Sequence, residues 1–489
     1  MDPKPMPPSE EPRVTRFWPF MFTLYVGSFM AVLSSSTITI AIPEMQRHFG
    51  ADLSLIQWTL TSFMLAMGTS APLTGYLGGR FSFKWVYVAS LGGFILTSVL
   101  CGIAWDMRSL VAFRFLQGAF CGAVMPVTMT LIYQLLPRER QAVAASLWSL
   151  ASMLAPAFGP TLAGWLITLG SWRWLFFINV PLGLVAVAMA VRTIPFYRLH
   201  IPKAFDIPGL LTVITSTLSL LVALSQGRAW GWTNGKTVSL FLLGTLSLVV
   251  FIVRELRTSA PLLDLRVFTN VRYGVTLLIS SIITISLYSG AFLVPLFLQR
   301  IQGVTPLDTG LILLPASLAM ALLMPLVGRL YGTLGPSTLM TAGVLLIAAG
   351  TYALSRLTPE ISHAYVLLWM LVRNVGISLS LMPANNAGME QIPRELSGHA
   401  SSISNWLRNV FGAFSIAIFT SLLATFTTRE AEVLAQQGMT ERRPIELFSF
   451  VAGINDVSLV ATVIALLAVP LSLGIRKQPR ALEASVEAP

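Results

Sequence analysis

The sequence predicts an all-α integral membrane protein: two six-helix bundles related by pseudo-symmetry, with two additional central helices between them. Three observations predict this class. Only 11% of the 489 residues are charged and 55% are hydrophobic, against about a quarter charged in soluble domains. Apolar runs of about 20 residues, long enough to cross a bilayer as helices, recur from end to end. Two short residue patterns also occur twice at a similar offset. Helices are expected rather than barrel strands, because strands would be shorter and would alternate in polarity.

Residues 1–16 read as a polar, proline-rich cytoplasmic tail. The apolar run after them is too long for a signal-peptide core, so 17–42 is expected to be a retained first span. Further spans are expected at 53–78, 84–105, 108–134, 141–168 and 172–192, completing an N-terminal bundle over 17–195. A linker, 196–265, carries two extra spans at 207–226 and 237–256. The C-terminal bundle, 266–478, holds spans at 272–299, 307–331, 336–355, 363–388, 398–426 and 453–475, and 479–489 is a second tail. The total is about fourteen. With both termini cytoplasmic, inside segments hold basic residues over outside ones by roughly two to one. That distribution also accounts for the net charge of +11 without a nucleic-acid partner.

The repeat is carried by Pro72-Leu73-Thr74-Gly75-Tyr76-Leu77, which recurs as Pro325-Leu326-Val327-Gly328-Arg329-Leu330. Arg114, Gly118 and Met125-Pro126 are echoed by Arg373, Gly376 and Met382-Pro383. The offset of about 255 residues exceeds the roughly 200 of two bare six-helix halves, which leaves room for two extra spans. Parallel halves of this kind place a substrate site between them.

Several residues stand out against the apolar background. Gly75, Arg80 and Lys84 lie in a glycine-rich stretch after the second span, where the basic residues can latch onto helix C-terminal carbonyls or simply set orientation. Arg114, Gln117, Gly118, Cys121, Gly122 and Met125 share one helical face. Arg114 lies about 9 Å from its helix end, so it either snorkels or faces a cavity. In the fifth span, Ala155, Gly159 and Ala163 form a small-residue stripe beside Pro156 and Pro160. This pattern suits a hinge or close helix packing.

Arg373 and Arg408 lie near the bilayer midplane, where they face a wet cavity or pair with carbonyls, Asn374 or Asn405. Glu390 and Asp456 fall near span ends, and no carboxylate falls near a midplane. Three membrane arginines without a central acid imply a positive cavity, which favours anionic or neutral amphiphiles. Cys101 and Cys121 sit in apolar runs as packing residues, and no spacing suggests a metal or a cofactor.

These segments resemble the major facilitator superfamily, specifically its fourteen-span drug:proton antiporters and the EmrB-like multidrug efflux permeases. Arg114-Phe115-Leu116-Gln117-Gly118 matches the family's Arg-X-X-Gln-Gly motif, and Gly159-Pro160 matches its antiporter motif, with Ala155 replacing the first glycine. Gly75 to Lys84 resembles the loop motif, with Gly79 where many members have aspartate. Further matches are Asp206-Ile207-Pro208-Gly209 and Ser402 to Arg408. One departure stands in the first span: Leu33-Ser34-Ser35-Ser36-Thr37 places Ser34 where the family carries an embedded aspartate. A serine does not titrate in this range, so Asp206 or Glu390 would have to carry a proton instead.

The resemblance implies a major facilitator fold in a bacterial inner membrane, exporting drugs by alternating access. In that reading Arg114, Gln117, Arg373 and Arg408 are the substrate or coupling residues, with Ser34, Met125, Trp148 and Asn405 as weaker candidates. The resemblance also implies a periplasmic adaptor and outer-membrane channel, for which the polar segment 427–446, read as the longest external loop, is either a docking surface or an ordinary solvated loop. Three other readings stay open: a uniporter or differently coupled carrier of one endogenous metabolite or lipid, a non-transporting membrane sensor and, least supported, a membrane enzyme. His48, His200, His363 and His399 lie near span ends with no catalytic spacing.

Overall fold

The computed structural model describes residues 16–70, 73–196, 206–258, 261–390, 392–393, 396–437, 439 and 441–475. Among these every regular element is helical. The first group comprises α1 (Phe17–Ser36), α2 (Ile38–Phe49), α3 (Leu53–Ile56), α4 (Trp58–Ser70), α5 (Leu73–Phe81), α6 (Phe83–Gly102), α7 (Met107–Leu135), α8 (Arg138–Thr168), α9 (Trp174–Phe177) and α10 (Asn179–Thr193). Next come α11 (Ile207–Trp230) and α12 (Gly235–Arg257). A second group follows: α13 (Val271–Leu296), α14 (Pro306–Leu334), α15 (Pro336–Ala353), α16 (His363–Met389), α17 (Ser397–Gln436), α18 (Arg442–Leu466) and α19 (Ala468–Leu473).

Local chemistry sets the helix ends. Asp106 caps α7, accepting from Ser109 N at 2.6 Å, while Ser109 Oγ accepts from Asp106 N. This reciprocal capping box satisfies two donors that the first turn would leave orphaned. The same hydrogen bonds hold the Asp106 carboxyl below the usual carboxylate range. Asn270 caps α13, Thr305 caps α14 and Ser362 caps α16, each side chain accepting from a backbone N–H three residues on. At Gly50 the chain turns into the left-handed region (φ +58°) and α2 stops.

Twelve helices among the described residues are long and apolar enough to cross a membrane. Two expected spans fall outside those twelve. The stretch 53–78 is divided into α3, α4 and α5, and 141–168 is covered by α8. The count of about fourteen therefore stays an expectation. One expectation is corrected: the segment 427–446 is not a loop. α17 runs on to Gln436 and α18 begins at Arg442.

α1 packs on α8 and α10, α4 on α7, and α6 on α7 and α10. In the second group, α16 packs on α13, α14 and α15, while α18 packs on α15 and α17. The groups are joined chiefly by two antiparallel contacts, α8 against α14 and α4 against α17, and α2 also touches α13 and α14. The first depends on glycine. A Cβ at Gly310 would stand 2.6 Å from the Pro160 carbonyl oxygen, and one at Gly164 would press on Pro306 and Leu307. Thr161 Oγ1 donates to Gly310 O at 3.0 Å across the same contact. Small residues let the two backbones approach this closely, which is how helices associate where no hydrophobic effect drives them together.

α11 and α12 pack on each other, and α11 reaches α4 and α17. The outer face of α12 leaves Leu242, Leu246 and Val249 at least half exposed. Such a face suits hydrocarbon as its solvent. Cys101 and Cys121 are free and buried.

Candidate functional site

The most densely bonded polar site of the first group grows from the α4–α7 contact. Gly118 and Gly122 lie against the backbone at Phe63 and Met67, where an added methyl would collide. This approach brings Thr59 O within 2.9 Å of Arg114 Nε. Arg114 NH1 donates to Ser34 Oγ at 3.0 Å and to Gln117 Oε1 at 2.6 Å, and NH2 donates to Ser34 O at 3.4 Å. The Phe63 ring lies over the guanidinium at 4.0 Å. Gln117 Nε2 in turn donates to Ser98 Oγ at 2.7 Å.

Arg114 and Gln117 are both 0% exposed. The expected face is real, but it points into the bundle, between α1, α4 and α6, rather than onto a cavity wall. Ser34 stands at the point where a carboxylate would neutralise the guanidinium. All the acceptors around Arg114 are neutral, and their number is what makes a buried cation tolerable.

Arg373 on α16 is the counterpart, and it is 1% exposed. Its NH1 donates to Asn374 Oδ1 at 3.4 Å and its NH2 to Leu287 O at 3.2 Å, while Nε has no partner. Beside it lies a small void lined by Ser289, Thr351 and Ser458 among others, of about 10 Å³. Arg373 thus pairs with a carbonyl and Asn374 and also lines this void.

Arg408 on α17 differs from both. It is exposed, and it donates to Asn405 Oδ1 one turn away. One turn further, Gly412 packs against Met64 of α4 and Tyr288 of α13, so Arg408 sits beside the junction of the two groups. Asn405 and Met125 are half-buried. Trp148 Nε1 donates to Ser28 Oγ at 2.9 Å, joining α8 to α1.

The remaining candidates lie elsewhere. Gly75 falls in α5. Arg80 is exposed and donates to the Tyr76 hydroxyl at 2.8 Å. Lys84 Nζ donates to Val191 O at 2.7 Å, in the last turn of α10, which is a latch onto a helix C-terminus within the first group. Gly159 is buried against Ser36, and α8 continues unbroken through Pro156 and Pro160. Glu390 is exposed at the end of α16, where it accepts from the Tyr331 hydroxyl at 2.8 Å. Asp206 is 6% exposed and bonded to Arg254 at 2.7 Å.

Residues 24–416 match the Major Facilitator Superfamily. The chain belongs to that superfamily. It is 33% identical over 422 residues to the uncharacterized MFS-type transporter YhcA of Bacillus subtilis, covering 86% of this chain and 79% of that protein. It is 30% identical over 421 residues to the multidrug export protein EmrB of Haemophilus influenzae, covering 86% of this chain and 82% of that one. A bacterial homologue of the lysosomal transporter Spinster, solved in an inward-facing, unoccupied conformation, shares the fold. It gives a TM-score of 0.68 at 14% identity, covering 94% of this chain and 98% of that structure.

This facilitator is thus a multi-pass membrane transporter, which acts on a small molecule within a lipid environment. Its burial pattern separates the three membrane arginines into two enclosed ones and one left exposed on the protein surface. Sequence reasoning missed Thr59, Phe63 and Ser98, which complete the Arg114 network. No signal in the chain could have found them, since a backbone carbonyl and a ring face carry no motif. Glu255 was also missed, although a buried acid between Arg254 and Arg257 at the end of an apolar run was a readable signal.

Proposed function

We propose that this facilitator exports small amphipathic compounds, anionic or neutral, by alternating access between the halves 17–195 and 266–478. About fourteen spans in the bacterial inner membrane, with both termini cytoplasmic, complete this reading. The observation that carries it is Arg408. It is the exposed one of three membrane arginines, it lies at the junction of the two helix groups, and Asn405 orients it. A cation held at a junction of low dielectric attracts the negative end of an amphiphile. Arg114 and Gln117 act behind the site by positioning α1 and α4, and Arg373 acts likewise on α16. The identity with a protein named for multidrug export supports the outward direction.

Transport is proton-coupled in this reading, with the proton carried elsewhere than at Ser34. Because a hydroxyl faces Arg114 in place of a titrating acid, a uniporter or differently coupled carrier of one metabolite or lipid is the second reading. A periplasmic adaptor and outer-membrane channel would dock at the end of α17 and the start of α18, within 427–446.

Reconstituted protein, with internal pH followed while anionic, neutral and cationic amphiphiles are added, tests both. Arg408→Gln is expected to lower flux of an anionic probe about tenfold, the loss of one charge-assisted contact. It should leave the thermal transition in place, because the side chain is exposed. Equal flux of anionic and cationic probes, unchanged by Arg408→Gln, would remove the charge argument.

A further inference from the structure

Asp206 and Glu255 are 49 positions apart in sequence, yet they meet at one end of the α11–α12 pair. Asp206 caps α11. Its Oδ1 accepts from Gly209 N at 2.9 Å and from Arg254 Nε at 2.7 Å. Glu255 is near the end of α12, and its Oε2 accepts from Leu263 N at 2.9 Å. Both residues are more than nine-tenths buried, at 6% and 1% exposed.

Each carboxyl group has one oxygen left over. Asp206 Oδ2 and Glu255 Oε1 are buried and without a hydrogen-bond partner. They converge on the same spot: a Cβ at Gly209 would lie 2.5 Å from the first and 2.6 Å from the second. Both oxygens therefore face the same point beside the first turn of α11. Two ionised carboxylates offer only acceptors, so in that state both oxygens stay unsatisfied and the charges repel. A single proton between them satisfies both oxygens at once.

We propose that Asp206 and Glu255 form a proton-binding site that holds one proton between Oδ2 and Oε1. The charges nearby decide which acid carries it. Asp206 already accepts from Arg254 and from the first turn of α11, whereas Glu255 accepts from one backbone N–H alone, so the proton is placed on Glu255. Protonated Glu255 with the Asp206–Arg254 ion pair leaves the buried cluster neutral, and loss of the proton leaves it with one net negative charge. Arg257 lies two positions beyond Glu255 at the end of α12, and on the segment after it Asp264 pairs with Arg266 at 3.9 Å. His399 of α17 also faces this segment, its Nδ1 accepting from Asp264 N at 3.2 Å. Glu255 also holds Leu263, so the occupancy of the site bears directly on how the connection from α12 to α13 is fastened.

The site stands apart from the transport reading, and it deepens that reading by offering a carrier for the coupled proton that Ser34 cannot hold. Infrared difference spectra of the full-length protein in lipid nanodiscs test it. At neutral pH a protonated carboxylic acid band that shifts in heavy water is expected. Glu255→Gln should abolish it, and Asp206→Asn should shift or abolish it. Glutamine can donate to Asp206 in place of the proton, so Glu255→Gln is expected to keep a wild-type thermal transition, which checks folding. No such band in the wild type, or a band untouched by Glu255→Gln, overturns the site.

Proton-driven flux measured on the same variants separates the two claims. Glu255→Gln is expected to lose proton dependence while keeping downhill flux. A lost band with unchanged proton-driven flux overturns the role in coupling. No flux in the wild type overturns the transport reading and leaves the band to be judged alone.

Discussion

Arg114 and Arg373 occupy echoing positions in the two helix groups, and both are buried, yet their surroundings differ. Arg114 makes four hydrogen bonds under an aromatic ring, drawing α1, α4 and α7 together. Arg373 makes two long ones, leaves Nε unpaired and borders a void. The same charge is therefore a knot in one half and a loosely held group in the other. A guanidinium can be buried without a carboxylate when enough neutral oxygens converge on it. Where they do not, a buried donor is left unpaired beside a void.

The largest effect that sharpens this contrast is Arg114→Ala. It strands Thr59 O, Ser34 Oγ and Gln117 Oε1, at about 1–3 kcal/mol for each buried group left unmade. The thermal transition in nanodiscs should fall well below that of the wild type. Arg373→Ala removes an imperfectly paired buried charge, so its cost is expected to stay within about 1 kcal/mol. A larger loss at Arg373 than at Arg114 would reverse the comparison.

Ser34→Asp is expected to have an intermediate effect of another kind. A carboxylate facing Arg114 would form a charge-assisted pair. Flux in liposomes should become more dependent on the proton gradient than in the wild type, with no loss of stability. The smallest expected effect is that of Lys84→Gln, which deletes one bond to Val191 O and should change stability by no more than about 0.5 kcal/mol.

Hydropathy made the helical architecture legible, because lipid forces every apolar run to satisfy its own backbone. Spacing along α7 placed Arg114 and Gln117 on one face. It could not say that the face is enclosed, since the interior of a bundle and the wall of a cavity look alike in a sequence bathed in lipid. The break of 53–78 at Gln57 was hidden for a similar reason: Gln57 is buried and donates to Ser225 of α11, a partner 168 positions away. The segment 427–446 was read as a loop from its polarity, yet polar residues form a good helix once that helix leaves the bilayer. The pairing of Asp206 with Glu255 depends on a fold contact over Gly209 that no local pattern encodes.

The length of α17 has a mechanical consequence. Its 40 residues span about 60 Å at 1.5 Å per residue, more than the roughly 40–45 Å of a bilayer with its headgroups. Gly412 is pinned against Met64, and about 36 Å of unbroken rod runs from there to Gln436. A tilt of about 10° at that pivot swings the tip by about 6 Å, so a small change deep in the membrane would be readable from the solvent as the travel of a pointer.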